Sequence, residues 1–256
     1  MSLFLLALCA HLCGDFLLQN DSLVAEKNAG RIRAHLKHGL LITVLTWLAT
    51  HCYGLMAAFF YAVLVGLAHL VIDGAKSWLE KGKTAGTQLF LFLLDQGLHL
   101  LVLLAFFPLF PTTTPDPRVT AFYQRFLPAT PVFALEMFGP FTGLSVENSL
   151  WIAVTYLAAV FGGAVLINRI LAWLTDEAQT EKTRRLSSAI GVMERLILIT
   201  LVAADAVAAV GFVLAAKSLA RYQELNNRDF AEYYLVGTLA SFTLSLFAGL
   251  WLKSIL

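Results

Sequence analysis

The side chains able to hold a metal or move a proton fall in the first part of the chain, and their spacing is regular. His11 and Asp15, His69 and Asp73, and Asp95 and His99 each stand four residues apart, which puts both members of a pair on one helix face. His38 adds an imidazole, with His35 one turn before it. Imidazoles and carboxylates projecting from facing helices are how helical bundles build metal centres. The predicted ligands are therefore His11, Asp15, His38, His69, Asp73, Asp95 and His99, with Asp15 and Asp73 as candidate catalytic carboxylates. A set without thiolate suits a divalent metal, Zn first, with Fe or Mn as alternatives. Seven candidates exceed one tetrahedral shell. That leaves a two-metal centre, or one metal whose aspartates orient the histidines from behind. A buried His–Asp network that only locks the helices together, or a proton or ion path, would use the same groups.

Gln19, Lys27, Lys76 and Gln96 flank this set and are candidates for binding an anionic head group, phosphate above all. Each lysine taken singly is better explained as a rim cation. His51 has no such company and reads as an interface residue. A second polar group lies near the C-terminal end: Glu194-Arg195, Asp205, Lys217, Arg221, Glu232, Tyr233 and Tyr234. Asp205 is expected mid-helix, where it must face a partner or water, and ion pairing at the interface accounts for the rest. The small residues of Ala203–Ala216 allow close helix packing.

The elements that position these residues are membrane helices. Of 256 residues, 59% are hydrophobic and 14% charged, with mean hydropathy +0.74, whereas soluble domains carry about 25% charge. A soluble fold could not hide that much apolar surface. Lys and Arg number 18 against 17 Asp and Glu, so no basic field points to nucleic acid. Cys9, Cys13 and Cys52 form no CxxC pair and read as core residues. An all-α polytopic membrane protein is expected, with seven spans: 3–19, 34–53, 54–77, 88–110, 149–174, 189–216 and 232–256. The first, lacking a basic n-region and carrying His11 and Asp15, reads as a span rather than a signal peptide.

Lys and Arg concentrate in the first, third and fifth connections, which predicts these to be cytoplasmic, with the N-terminus outside and the C-terminus inside. The sixth, with Lys217, Arg221 and Arg228, disagrees. A four-helix half, 1–110, is separated from a three-helix half, 149–256, by a Pro-rich outer connection, 111–148, with a short helix expected near 119–127. At about 1.5 Å rise per residue, the seven candidate ligands lie within roughly 5–17 Å of one face. Ala10-His11-Leu12-x-x-Asp15 recurs as Ala68-His69-Leu70-x-x-Asp73, suggesting two hairpins related by a parallel pseudo-two-fold.

The run His11-x-x-x-Asp15-x-x-x-Gln19 with Lys27 and His38, the motif Asp95-Gln96-x-x-His99, and the tail IGVMERLIL…AAKSLARY…AEYYLVGTLAS resemble an uncharacterised family of bacterial inner-membrane proteins, a domain of unknown function. The resemblance implies an integral membrane protein and no settled activity. The His/Asp pattern of the first half also resembles that of predicted membrane-bound metal-dependent hydrolases. The expectation is a metal-dependent hydrolase at the cytoplasmic leaflet, acting on a phosphoester or lipid-linked substrate. A metal-ion or proton-coupled transporter and a non-catalytic membrane scaffold are the alternatives. The expected partners are the bilayer and such a substrate.

Overall fold

The structure, a computed structural model, describes residues 1–109, 114–126, 144–175 and 181–256, and of 181–185 the backbone alone. Most of the Pro-rich connection, and the side chains of Lys182, Arg184 and Arg185, lie outside the described residues. The described residues are helical, with no strand among them. They divide into two compact units, one of residues 1–83 with 90–154, the other of residues 84–89 with 155–256.

In the first unit, α1 (Ser2–Leu12) runs into a π turn, Cys13–Leu17, and the chain then bends by 83° into α2 (Asp21–Asn28). Asn20 starts α2 by accepting the Leu23 N–H at 2.9 Å, an N-cap that satisfies one of the amides left open at a helix start. α3 (Ile32–Thr50) and α4 (Leu55–Leu79) form a hairpin. Its corner, Gly54 at φ 122°, is a conformation that glycine alone adopts readily. α5 (Ala85–Phe106), α6 (Pro117–Phe126) and α7 (Val146–Tyr156) follow. α6 matches the short helix expected near 119–127. It is tied to the hairpin corner by Asp116 N–H on the Cys52 carbonyl at 2.8 Å and by His51 Nε2 against Tyr123 Oη at 2.7 Å.

Small residues set the helix spacing. A Cβ added at Gly66 would meet Thr43 Oγ1 and stand 3.2 Å from the Gly39 carbonyl, so α3 and α4 touch nearly backbone to backbone. A Cβ at Gly14 would meet Ile42 Cδ1, so the π turn packs closely on an α3 side chain. Polarity is inverted relative to a soluble bundle. Ile32, Leu36, Leu40, Val44 and Leu48 form an exposed stripe along α3, while His35 and His38 on the same helix are buried. Apolar outside and ionisable inside is the arrangement of helices whose solvent is hydrocarbon.

The second unit holds a π turn, Leu157–Gly162, then α8 (Gly163–Thr175), α9 (Glu181–Ala203), α10 (Val207–Ala220) and α11 (Arg228–Ile255). α9 and α10 are an antiparallel hairpin. Val202 packs with Val210 near its corner, and Lys217 Nζ reaches Glu194 Oε2 at 2.6 Å farther down. α11 starts near the open end, where Tyr234 Oη lies 3.5 Å from Ser218 Oγ. It ends at the corner, where Lys253 Nζ donates to Asp205 Oδ1 at 2.6 Å.

Among the described residues, five helical stretches are long and apolar enough to cross a membrane (55–79, 85–106, 146–175, 186–203 and 228–255), and the bent pair around the first π turn would make a sixth. The chain thus reads as a multi-pass membrane protein. The difference from seven has local causes. The first run breaks after Leu17, and α3 opens on Arg33, His35, Lys37 and His38, which lowers its apolarity. The run 189–216 is two helices rather than one, because Asp205 takes the left-handed conformation at φ 61°. Asp205 is therefore at an exposed corner, not mid-helix. With 189–216 folding back, the C-terminus lies at the opposite end from the start of α9, not at the same one. Lys217, Arg221 and Arg228 lie towards that start.

Candidate metal centre

The first unit brings four helices to one point, and Asp15 is its centre. A π turn admits an extra residue per turn and is a frequent feature of functional positions; here it carries Asp15 off the end of α1 into the bundle. His38 Nε2 from α3 stands 3.1 Å from Asp15 Oδ1, and His69 Nε2 from α4 stands 3.4 Å from the same oxygen. His11 Nε2 approaches the other oxygen, Oδ2, at 3.6 Å. His99 from α5 completes the group, its ring centroid 4.9 Å from that of His11 and 4.1 Å from that of His69. Donor atoms of His11, Asp15 and His99, and of Asp15, His38 and His69, lie within 4.8 Å of one another in each set. Asp15 belongs to both sets.

The imidazoles are buried and under-bonded. His11, His38, His69 and His99 are each at most 3% exposed. Yet His11 Nε2, His38 Nδ1 and both nitrogens of His69 and of His99 have no hydrogen-bond partner. A buried polar atom without a partner costs about 1–3 kcal/mol, so six on four neighbouring rings is a strong departure from the ordinary interior. A His–Asp network that merely locked the helices would pair these nitrogens with one another or with carboxylates. Their donor atoms instead fall into two compact sets that share Asp15, each close enough to surround a metal ion.

Behind this ring lie two charge clusters. On one side Asp95 Oδ2 accepts from Lys76 Nζ at 2.9 Å and from Gln96 Nε2 at 3.0 Å, while Oδ1 sits 3.6 Å from His99 Nδ1. Gln96 Nε2 also reaches Asp15 Oδ2 at 3.3 Å. On the other side Asp73 accepts from Lys27 Nζ at 2.7 Å and pairs with His35 Nδ1 at 2.8 Å; Lys27 further donates to Gln19 Oε1 at 3.1 Å. Lys27 is only 4% exposed, so it is a buried ion-pair partner rather than a rim cation.

The predicted residues thus separate into roles. His11, Asp15, His38, His69 and His99 converge. Asp95, Lys76 and Gln96 form a shell behind His99 and Asp15. Asp73 stands apart from the ring with Lys27, Gln19 and His35. The His11–Asp15 and His69–Asp73 motifs are consequently not equivalent in space. α1 unwinds into its π turn before Asp15, whereas α4 stays α-helical through Asp73 to Leu79. His35 was visible in the sequence as a histidine one turn from His38, but nothing in its spacing connected it to Asp73.

A groove of about 470 Å³ opens beside the second cluster, lined by Lys27, His35 and Lys81 together with Ile32, Leu36 and Trp78. Its wall joins cationic heads to an apolar surface. On the opposite side of the ring the interior is apolar, with Leu3, Leu5, Ala58, Tyr61 and Leu103 buried. Tyr61 Oη donates to the Leu103 carbonyl at 3.3 Å.

Residues 3–125 match the model of a family described as "Protein of unknown function (DUF3307)". The matched stretch contains every residue of the ring and of both charge clusters, and ends within α6. No curated protein and no solved structure matches the chain.

Proposed function

We propose that the protein is a metal-dependent hydrolase of the bacterial inner membrane, acting at the cytoplasmic leaflet on a phosphoester or lipid-linked substrate. The observation that carries this reading is the ring of imidazole nitrogens without partners around Asp15. Zn is the first candidate, with His11, His38, His69, His99 and Asp15 as its ligands. A metal held there supplies a water acidified enough to act as nucleophile near neutral pH.

The remaining residues have tasks that do not depend on the metal's identity. Asp95, steadied by Lys76 and Gln96, orients His99. Asp73 holds His35 through Nδ1, which leaves Nε2 as the ring nitrogen that can take a proton. The base is thus better assigned to His35, oriented by Asp73, than to Asp73 itself. Lys81 in the groove meets the anionic group, with the Lys27–Asp73 pair behind it, while Ile32, Leu36 and Trp78 accept an acyl or prenyl portion. Beyond the polar ring the helices pack through apolar Leu3, Leu5, Tyr61 and Leu103, which favours hydrolysis over a path through the membrane.

The test is elemental analysis of protein purified without chelator, beside the His11→Ala/His69→Ala double variant. At least one equivalent of metal in the wild type, lost in the variant, is the expected result. Substoichiometric metal in both would remove the basis of the proposal. Metal-loaded protein is then assayed on phosphatidic acid in mixed micelles and on a soluble aryl phosphate. Absence of metal-dependent phosphate release from both would leave a metal site without the hydrolase.

A further inference from the structure

The second unit contains a cavity of about 150 Å³ between α8, α9, α10 and α11, large enough for a benzene-sized group. Three cations, Arg195, Lys217 and Arg221, line it against one carboxylate, Glu194. Glu194 and Arg195 are only 6% and 3% exposed, although both lie within a stretch apolar enough to span a membrane. Ionisable groups at such depth mark a functional position unless fully paired, and these are not fully paired. Lys217 satisfies Glu194 Oε2, but Glu194 Oε1 has no partner, and neither do the hydroxyls of Thr238 and Ser241 on the facing wall.

The framework that holds the cavity open is accounted for. The π turn Leu157–Gly162 departs from the regular helical ladder, and its Val160 carbonyl accepts from Arg195 Nη2 at 2.8 Å and from Nε at 3.2 Å. That contact anchors one edge of the guanidinium and fixes its plane. Arg221 lies over the Phe230 ring, 5.8 Å from its centroid, and donates to Glu224 Oε2 at 3.4 Å, while Lys217 lies over Tyr234 at 5.3 Å, so three cations face two carboxylates. Cations stacked on aromatic faces keep their charge while their orientation is restricted. Ile167 and Leu171 supply an apolar wall.

From this placement we infer that the second unit binds the head group of a phosphate-bearing amphiphile. The excess of cations selects an anion, and the volume admits a phosphate with a short polar substituent but no acyl chain. Glu194 Oε1 needs a donor and the Thr238 and Ser241 hydroxyls can accept or donate, so the substituent carries hydroxyl or amine hydrogens. A phosphoglycerol head meets each condition. The site is separate from the ring around Asp15 and stands whether or not that ring holds a metal.

The experiment is native mass spectrometry of the full chain, released from detergent, with phosphatidylglycerol or phosphatidylcholine added in equal amounts. Glycerol 3-phosphate and inorganic phosphate are offered separately. Retention of phosphatidylglycerol at least tenfold above phosphatidylcholine is expected, falling to parity in Lys217→Gln/Arg221→Gln. Arg228→Gln, an exposed cation outside the cavity, leaves it unchanged. Thr238→Val replaces an unpartnered hydroxyl by a methyl of the same shape, so it keeps the fold, and retention drops severalfold. Tight binding of glycerol 3-phosphate alone, lost in the same double variant, supports the site and assigns it to a soluble phosphate. Equal retention of both lipids by the wild type, or phosphatidylglycerol held equally by the double variant with its thermal midpoint intact, overturns the inference.

Discussion

His69 stacks on His99 with ring centroids 4.1 Å apart and planes inclined by 23°, and none of their four nitrogens has a hydrogen-bond partner. Two neutral imidazoles in that relation gain little from each other, and two protonated ones would repel. Each belongs to a different set of potential ligand atoms, and the two sets meet at Asp15. His99→Ala and His69→Ala are each expected to abolish stoichiometric metal. Asp95→Asn, one layer behind, should weaken metal affinity by about 10–100-fold while leaving the ligand set intact. Metal titration against a competing chelator distinguishes the two outcomes.

Lys27 and Asp73 form a pair of a different kind, buried and closed on itself through His35 and Gln19. Breaking such a pair from one side strands a charge, at a cost of about 3–5 kcal/mol, whereas replacing both partners can be nearly neutral. Lys27→Met should therefore unfold at markedly lower denaturant than Lys27→Met/Asp73→Leu. Both variants should retain metal. Loss of metal in the double variant would place Asp73 back among the ligands.

At Gly66 the prediction is steric. An added methyl meets Thr43 Oγ1 and presses on the Gly39 carbonyl, and backbone cannot step aside as a side chain can. Gly66→Ala should lose about 1–3 kcal/mol and disturb the ring indirectly, since His38 and His69 each lie within a turn of this crossing. Thr43→Ala in the same chain relieves the first contact and not the second, so partial recovery is expected in a thermal unfolding series.

Asp205 gives the opposite expectation. Its ion pair with Lys253 is exposed on both sides, at 71% and 46%, and exposed pairs contribute about 0–1 kcal/mol. Its left-handed φ matters more. Asp205→Asn and Asp205→Gly should leave the thermal midpoint near wild type, while Asp205→Val, β-branched at a positive φ, should lower it. Were Asp205→Asn to abolish a solute flux in proteoliposomes, the transport reading would replace the hydrolytic one.

The helical class and the polar layer were legible because burial of ionisable groups leaves a mark on sequence: in an apolar run, each His or Asp must be facing something. Four histidines from four helices meet where equal depth from one face would put them. The partition of the carboxylates was not legible. Asp15 and Asp73 sit in the same hexapeptide pattern, and the π turn, present after α1 and not in α4, sends one to the centre and leaves the other for Lys27. The split of 189–216 was hidden for a related reason. Ala203–Ala216 is apolar and small throughout, so periodicity continues across a corner made by one backbone angle at Asp205.

That corner bears on how the chain is made. α10, with 14 residues, extends about 21 Å and falls short of the roughly 30 Å hydrocarbon thickness. It cannot be released into lipid as an independent segment. α9 carries an apolar stretch long enough to span by itself, so α10 enters the bilayer by folding back onto it, with Val210 against Leu198 and Val202. Site-specific crosslinking during synthesis should therefore join α10 to α9 before α10 contacts lipid.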